Sequence, residues 1–596
     1  MPMGLLDRLR SNAQLVVGLA RTARAVGVPR PDSTTTIADR FEARVQEGPD
    51  RTAIVQDDRA LSYRELDAEA NRFARWAQSI GVERGSVVAL LLGNRPELPI
   101  AQLGLAKLGA VSALINHNLR GNALAHCVEV ANAVAAVLHA EFREEWQSAR
   151  PHLSSPLPAY SLGGIAQGAQ PLDEVLAAAS PVPLDPRVRT GLEAGDPYLY
   201  IYTSGTTGLP KAARISHLRG MSIAGGAIGA LGLRPGHRMY VPLPLYHSAG
   251  GGMAMGGALL AGATAVIAPR FSATRFWSDC VRHDATHFQY IGELCRYLLN
   301  SPKHPDERRH RIQACVGNGL RPEVWQPFQD RFGIPKIVEF YGATEGNVAL
   351  MNFDGKVGAV GRLPAAVRRA VGTHIVRYDI ERDTHERDAS GHCIPCDPGE
   401  VGEAIGRITA VARFEGYTNE EATKKKILRD VFEDGDAYFR TGDLLRMDED
   451  GYFYFVDRIG DTFRWKGENV ATSEVAEALS VAPGVAEANV YGVEVPGQDG
   501  RAGMAALVVD DRFDPAELYA HLERELPTYA RPIFLRLGKE LETTGTFKHR
   551  KVELVKQGFD PSLIADPVLF ADASAGSYVP LSAERHAEIV KGEIRL

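Results

Sequence analysis

The chain has 596 residues, of which 45% are apolar and 24% are charged. This composition is typical of globular proteins and excludes a disordered or fibrous chain, and the length predicts at least two domains. A total of 67 Lys and Arg residues against 74 Asp and Glu residues gives a net charge of −7. We therefore expect no overall attraction to nucleic acid. Six cysteines are too few for a disulfide scaffold.

The first 30 residues carry five arginines against one aspartate, with leucine, valine and alanine near helical spacing. The pattern predicts a basic amphipathic helix in a segment 1–34 that precedes the first domain. Its longest uncharged run, 11–20, is too short to cross a bilayer, which takes about 20 residues. Two interpretations stay open: a helix lying on a membrane surface, and a helix packed on the protein's own surface.

From about residue 50 to 300, helical patterns such as 63–80 alternate with short apolar runs such as 87–92 and 134–138. This alternation predicts a large α/β domain with parallel or mixed sheets. The Gly- and Ala-rich stretch 253–269 is typical of a buried helix followed by a buried strand.

The pattern changes after the polar, Gly-containing stretch 457–469. Helical patterns at 473–479 and 515–526 and strand patterns at 488–493 and 504–509 follow. They predict a small α+β domain of about 130 residues. We place the large domain at 35–460 and a small, mobile domain at 461–596.

Cys393 and Cys396 form a C-x-x-C pair. Neither a second cysteine pair nor a histidine pair follows at the spacing of a zinc site. The pattern favours a loop or turn in a reduced protein over a metal or redox site.

The sharpest local feature is YTSGTTGLPK at 202–211, directly after a strand-like aromatic run. Glycines let backbone N–H groups converge on an anion, hydroxyls add donors, and Lys211 adds a charge suited to phosphate. The spacing excludes a Walker A loop. We expect a phosphate-binding loop, called the phosphate loop below, that is formed by Thr203, Ser204, Gly205, Thr206, Thr207, Gly208 and Lys211.

The phosphate loop resembles the signature loop of the adenylate-forming superfamily, which comprises acyl-CoA synthetases, luciferases and peptide-synthetase adenylation domains. Further segments resemble that family's motifs in the family's order: FYGATEG (340–346), FRTGD (439–443), VDR (456–458) with the following Gly-Asp, and GTFK (545–548). Other stretches point to a smaller group within the superfamily. Among them, DTFRWKGENVAT (461–472) and TTGTFKHRKVEL (543–554) are similar to the fatty-acid-transport-protein and very-long-chain acyl-CoA synthetase branch.

The resemblance implies an ATP-dependent ligase that converts a long or very long fatty acid to its CoA ester through an acyl-adenylate. ATP and CoA would be co-substrates, Mg²⁺ the cofactor, and AMP and pyrophosphate the by-products. Lys548 would reach the carboxylate and the α-phosphate during adenylation, Thr344 would contact the α-phosphate, and Glu345 would bind Mg²⁺. The nucleotide contacts implied outside the phosphate loop are those of Tyr341, Gly342, Thr344, Asp443 and Arg458.

The resemblance further assigns His247 to the acyl pocket, although a core or helix-capping histidine remains an alternative. Asp461 would be the hinge of the small domain. The implied CoA side consists of Lys466, Gly467 and Glu468.

Two other functions stay open. One is a fatty acyl-AMP ligase that loads a carrier protein; the other is a membrane-associated fatty acid uptake protein without ligase activity. A ligase would itself support uptake by trapping the acid as a CoA ester. We expect a cytoplasmic location, with peripheral attachment to the inner face of the plasma membrane if residues 1–30 bind lipid. Neither acyl chain length nor oligomeric state follows from any motif.

Overall fold

A computed structural model describes residues 4–27, 30–203, 209–380, 382–410, 412–466, 468–498, 500–542, 551–594 and 596. The chain packs as two compact units. The first comprises Met1–Val371, Gly406–Leu428 and Ala437–Phe439, and the second comprises Gly372–Ile405, Arg429–Asp436 and Arg440–Leu596. The domain limits 1–34, 35–460 and 461–596 stay predictions.

Strands and helices alternate through the first unit, as predicted. Its strands are β1 (Thr52–Gln56), β2 (Arg59–Ser62), β3 (Val87–Leu91), β4 (Val111–Leu114), β5 (Ala135–His139), β6 (Ala159–Leu162), β7 (Gln170–Pro171), β8 (Pro197–Thr203), β9 (Lys211–Ser216), β10 (Arg238–Val241), β11 (Thr264–Ile267), β12 (His287–Ile291), β13 (Ala314–Asn318), β14 (Ile337–Gly342), β15 (Ala349–Asn352) and β16 (Gly361–Arg362). Its helices are α1 (Leu5–Val26), α2 (Ile37–Glu47), α3 (Tyr63–Ser79), α4 (Glu97–Leu108), α5 (Gly121–Val130), α6 (Arg143–Ala149), α7 (Asp173–Ala178), α8 (His217–Leu231), a π-helix (Ser248–Met255), α9 (Gly256–Leu260), α10 (Phe276–Arg282), α11 (Gly292–Asn300), α12 (Pro322–Phe332) and α13 (Ala365–Val371).

Two large sheets form the first unit. One has the strand order β7-β6-β5-β3-β4-β8-β9 and is parallel except for the terminal β8–β9 hairpin. The other has the order β15-β14-β13-β12-β10-β11-β1-β2 and is parallel between antiparallel edge strands. Strands such as β3 and β4 are buried along their whole length, which is why their sequences are continuous apolar runs. Residues from both sheets and from α2, α3, α4, α8 and α9 share one hydrophobic core.

The predicted buried helix and strand at 253–269 are present as the end of the π-helix, α9 and β11. Glycines explain the unusual winding of the π-helix. A Cβ on Gly250 would lie 2.3 Å from the carbonyl oxygen of Pro244, and one on Gly251 would lie 2.1 Å from that of Leu245. Only glycine permits this approach of the preceding loop.

Helix α1 packs against α8 through its small residues. The Thr22 hydroxyl donates to the carbonyl oxygen of Gly225 over 2.9 Å. A Cβ on Gly229 would lie 2.6 Å from the carbonyl oxygen of Gly18, so the two backbones meet closely because glycine is on both sides. The interpretation of a helix packed on the protein's own surface is therefore correct for this face of α1.

The opposite face of α1 carries large apolar residues. Leu6 is 80% exposed, Leu9 58% and Val16 64%. At about 100° of rotation per residue, exposed Arg8 lies on one side of this apolar stripe and exposed Arg10 and Arg21 lie on the other. Among the described residues, none of the helices combines the length and the apolarity that a bilayer crossing requires.

The chain after residue 371 contributes the remaining elements. Their strands are β17 (Thr373–Val376), β18 (Tyr378–Asp379), β19 (Thr384–His385), β20 (Val401–Arg407), β21 (Ile427–Arg429), β22 (Ala437–Met447), β23 (Tyr452–Arg458), β24 (Phe463–Trp465), β25 (Glu468–Val470), β26 (Val485–Glu494), β27 (Arg501–Val509), β28 (Phe534–Gly538), β29 (Val568–Asp572) and β30 (Ser577–Pro580). Their helices are α14 (Glu420–Lys424), α15 (Thr472–Ser480), α16 (Pro515–Glu525), α17 (Val552–Gln557) and α18 (Ala583–Val590).

The second unit has the predicted α+β character. Strands β26 to β30 form a mixed sheet in chain order, parallel only between β27 and β28. Its apolar face packs with α15 and α16 in a core of its own. Cys393 lies in an isolated bridge with Arg387, outside the long strands, as expected for a loop. Cys393 and Cys396 are both free cysteines.

Candidate functional site

The phosphate loop is the connection of the β8–β9 hairpin. Thr203 ends β8 and Lys211 begins β9, and the two residues are partners across the hairpin. The predicted contacts Ser204, Gly205, Thr206, Thr207 and Gly208 lie outside the described residues. The hairpin thus fixes both ends of the loop on one edge of the sheet.

The segment around Tyr417 runs alongside β9. Arg214 N–H donates to the Gly416 carbonyl over 3.0 Å, and Thr418 N–H donates to the Ala212 carbonyl over 3.0 Å. These bonds fix Tyr417, which places its ring 5.9 Å from Lys211 Nζ. A cation at this distance from an aromatic ring is attracted to its face.

The same tyrosine contacts the predicted metal ligand. The Tyr417 hydroxyl donates to Glu345 Oε1 over 2.6 Å. Burial and the neighbouring Glu345 carboxylate raise the pKa of Tyr417, so the phenol is protonated and remains a donor. One side chain thereby connects the end of the phosphate loop with Glu345.

The main chain of the 340–346 segment is anchored by the first turn of α8. Arg219 Nη2 donates to the Ala343 carbonyl over 2.8 Å. Ser216 caps this helix by accepting Arg219 N–H, and its own N–H donates to Glu415 Oε2 over 2.6 Å. Burial lowers the pKa of Arg219, and the Glu415 and Glu345 carboxylates offset part of this cost.

Tyr341 and Gly342 form the end of β14, where they pair with the antiparallel β15. Below them, Glu339 is fully buried and accepts hydrogen bonds from the Tyr290 hydroxyl over 2.5 Å and from Leu320 N–H over 3.1 Å. Burial raises the pKa of Glu339 to about 8. This carboxyl therefore joins the ends of β12, β13 and β14 beneath the predicted adenine segment.

An apolar cavity adjoins Thr344. Ser248 lines it, and the Ser248 hydroxyl lies 3.3 Å from Thr344 Oγ1. The empty space between α2, α4, α8, α9, the π-helix and the strands β8 and β9 amounts to about 600 Å³ with the open solvent at its mouth included, of which about 50 Å³ can hold the centre of a water molecule. His247 directly precedes the π-helix, half-buried against the Tyr246 ring at 4.4 Å between ring centroids. Its assignment to the acyl pocket stays a prediction.

The residues present fit a magnesium ion. Glu345 offers a carboxylate and Thr344 a hydroxyl, both hard oxygen donors of the kind that Mg²⁺ prefers. Within the described part of the chain, there is no group of three or more potential metal-ligating side chains.

Asp443 and Arg458 belong to the second unit. They are partners across β22 and β23, with Arg458 Nε 3.8 Å from Asp443 Oδ1. The Thr441 hydroxyl accepts Asp443 N–H over 3.1 Å and donates to the Ala404 carbonyl over 2.7 Å. Acidic and basic side chains are thus held side by side, and their assignment to the ribose stays a prediction.

The predicted hinge carboxylate is bound to a lysine. Asp461 Oδ2 lies 3.1 Å from Lys551 Nζ, which also donates to the Thr472 hydroxyl over 2.9 Å. Lys548 lies outside the described residues. The hinge and Lys548 assignments stay predictions.

The predicted CoA side is the turn between β24 and β25. Lys466 adopts a left-handed backbone with φ of 52° and places Nζ 5.8 Å from the Trp465 ring, where it donates to the main-chain oxygen of Leu596. Glu468 is exposed, and Gly467 lies outside the described residues.

Comparisons with known proteins identify the family. A family model described as AMP-binding enzyme matches residues 41–404, and one described as AMP-binding enzyme C-terminal domain matches residues 474–548. The chain belongs to the AMP-binding enzyme family. This confirms the predicted superfamily, and with it an adenylate-forming enzyme of the acyl-CoA ligase type that binds ATP.

Curated relatives of this family member cover nearly its whole length. It is 42% identical over 568 residues to long-chain fatty acid transport protein 6 of Mus musculus, covering 94% of this chain and 91% of that one. It is 41% identical over 602 residues to long-chain fatty acid transport protein 2 of Rattus norvegicus, covering 99% of this chain and 96% of that one. The predicted branch is therefore confirmed.

Solved structures confirm the fold of this family member. A benzoate CoA ligase from Burkholderia xenovorans matches with a TM-score of 0.74 at 22% identity, covering 87% of this chain and 100% of that one. A fatty acyl CoA synthetase of Mycobacterium tuberculosis matches with a TM-score of 0.61 at 23% identity, covering 88% of this chain and 98% of that one.

Sequence analysis did not single out Tyr417, Arg219, Glu415 or Ser248. Tyr417 is 72 residues from Glu345, and no spacing rule connects a Gly-Tyr pair to a distant carboxylate. Ser216 did carry a signal: a serine at the end of a strand, three residues before Arg219, is a typical helix N-cap. That signal predicts the helix but not the carbonyl that Arg219 contacts.

Proposed function

We propose that this family member is an ATP-dependent long-chain or very-long-chain fatty acid–CoA ligase. It would form an acyl-adenylate and then acyl-CoA, releasing AMP and pyrophosphate. The observation that carries the proposal is the apolar cavity beside Thr344, which would hold the hydrocarbon chain with the carboxylate near the segment 340–346. The names of its curated relatives, long-chain fatty acid transport proteins, support the same substrate class.

In the first unit, the side chains prepare the site before the substrates meet. Arg219 fixes the Ala343 carbonyl, so Thr344 and Glu345 are oriented in advance. Lys211 supplies positive charge at the end of the phosphate loop, and Tyr417 restrains both Lys211 and Glu345. Glu345 would hold Mg²⁺, which neutralises phosphate charge when it is bound.

In the second unit, Asp443 and Arg458 would contact the ribose. Lys548 would stabilise the negative charge that develops as the carboxylate approaches the α-phosphate. For thioester formation, rotation at Asp461 would withdraw Lys548 and present Lys466, Gly467 and Glu468 to CoA. The order of motifs and the C-terminal family match at 474–548 support these roles.

We also propose that the outward face of α1 attaches the enzyme to the inner face of the plasma membrane, from the cytoplasm. In α1, large apolar residues face solvent and small residues face the protein. This arrangement is the reverse of that in an ordinary surface helix. The flanking arginines add attraction to anionic lipid. Activation at the membrane would support uptake, since the CoA ester is trapped.

Incubation of the purified protein with palmitate, ATP, Mg²⁺ and CoA tests the proposal. Palmitoyl-CoA, AMP and pyrophosphate should appear in equal amounts. Acyl-adenylate that accumulates without thioester would favour the acyl-AMP ligase. Palmitate binding without consumption of ATP would favour the uptake protein without ligase activity.

A further inference from the structure

Gln102 is a polar side chain in the wall of the apolar cavity. It lies on α4, whose Pro99 and Leu103 line the cavity beside it. The residue is only 3% exposed. Within the part of the chain that the structure describes, its amide has no hydrogen-bond partner.

The rest of the lining is almost entirely hydrocarbon. The other polar side chains are Ser248 and Tyr198. The Ser248 hydroxyl already faces Thr344, and the Tyr198 ring stacks on His217 at 5.1 Å between centroids. Of the side chains that line the cavity, Gln102 offers an amide, which both donates and accepts hydrogen bonds, and Tyr198 offers a single hydroxyl.

A saturated chain that filled the cavity would cover the Gln102 amide without giving it a hydrogen-bond partner. Leaving a buried polar group unpaired costs about 1–3 kcal/mol, whereas leucine or methionine would fill the same space without that cost. Large apolar residues occupy most of the neighbouring positions in the wall. A ligand oxygen is the group that would satisfy the amide.

We infer that Gln102 is a specificity-determining residue that hydrogen-bonds an oxygen carried on the substrate's hydrocarbon chain. The substrate class is that of hydroxy and oxo fatty acids, because the amide N–H₂ donates to either oxygen and the amide oxygen also accepts from a hydroxyl. This inference rests on the proposed function, since it takes the cavity as the acyl site.

The test compares stearate with a positional series of monohydroxystearates and oxostearates, with acyl-CoA formation as the readout. For the best-placed oxygen, we expect the ratio of kcat/KM for the oxygenated acid to that for stearate to fall about tenfold in Gln102→Leu, the effect of one hydrogen bond. Gln102→Met is the second variant, because its unbranched side chain has nearly the shape of glutamine. A ratio within one variant is independent of the folded fraction of the sample.

Tyr198→Phe is the matched control, because it removes the other uncommitted polar group of the wall. An unchanged ratio in Tyr198→Phe and a reduced ratio in both Gln102 variants support the inference. Equal ratios in wild type and both Gln102 variants at every position overturn it, as does a change confined to Tyr198→Phe. If the wild type forms no CoA ester from stearate itself, the proposed function fails instead, so the two failures are distinguishable.

Discussion

The Tyr417 hydroxyl donates to Glu345 Oε1 over 2.6 Å, while the Tyr417 ring lies 5.9 Å from Lys211 Nζ. The residue that would bind Mg²⁺ and the cation that would bind phosphate are therefore restrained by one side chain. The restraint acts on a carboxylate that would be needed to bind the metal, so it should affect metal–nucleotide binding more than the chemical step.

Tyr417→Phe removes the hydroxyl and keeps the ring. We expect the dissociation constant for Mg–ATP to rise about tenfold, since a hydrogen bond to a charged group is lost. Titration calorimetry and the Mg²⁺ dependence of ATP–pyrophosphate exchange measure this effect. Tyr417→Leu is the comparison, because it also removes the ring beneath Lys211 and should weaken binding further. Wild-type affinity in Tyr417→Phe would contradict the positioning role.

Lys548→Ala should separate the two half-reactions. Adenylation should slow by roughly 10²-fold or more, the scale for losing one preorganised charge donor. Thioester formation from supplied acyl-adenylate should survive, because Lys548 would be withdrawn in that step. Lys556→Ala is the nearby control, because it removes an exposed lysine that is paired with Glu553 and should leave both half-reactions unchanged. Equal slowing of both half-reactions in Lys548→Ala would be incompatible with the assigned role.

Glu339 should make stability depend on pH. Its pKa is raised by burial from 4.5 to about 8, so the folded state holds one proton more than the unfolded state between these values. The stabilisation is fully present below 4.5 and is lost as the pH rises through about 8.

Glu339→Gln mimics the protonated carboxyl and does not titrate. We expect the melting temperature of the wild type to fall relative to that of Glu339→Gln as the pH rises across this interval, as measured by thermal unfolding of both proteins in the same buffers. A difference in melting temperature that stays constant with pH would show that Glu339 does not titrate there.

The outward face of α1 should bind lipid. Combined Leu6→Ser, Leu9→Ser and Val16→Ser substitutions should reduce flotation with anionic vesicles at least tenfold, because each residue loses apolar area that would enter the bilayer. Leu563→Ser is the control, since Leu563 is 67% exposed but lies outside α1. Raised salt should weaken wild-type binding through the arginines. Equal flotation of the triple variant and the wild type would exclude attachment by this face.

The motifs and the order of helices and strands could be predicted because they are local. Hydrophobic periodicity gave α3, β3 and α15 nearly to the residue, and the Ser/Thr/Gly run between Thr203 and Lys211 proved to be a hairpin connection. The partners of these motifs could not be predicted. Arg219 meets the Ala343 carbonyl only because α8 and β14 belong to one folded unit, and contacts of that kind leave no spacing in the sequence.

The orientation of α1 was also beyond the sequence. Its leucines and valines suggest a buried face, yet Gly18 and Thr22 are the residues that pack on α8. The shape of α8 explains this orientation of α1, because Gly225 and Gly229 leave a groove on α8 that only small side chains can enter. An amphipathic pattern gives the period of a helix, whereas the shape of its neighbour decides which side turns inward.

Helix α8 has α1 on one side and the apolar cavity on the other, with Gly225 and Gly229 against α1 and Gly220, Ile223 and Ala224 in the cavity wall. A bilayer beneath α1 would thus be separated from the cavity by little more than two helix diameters, each about 10 Å. Truncation of residues 1–30 would strip the covering from the glycine side of α8 and disturb the cavity as well. Impaired turnover by a shortened enzyme is therefore no measure of its attachment to lipid.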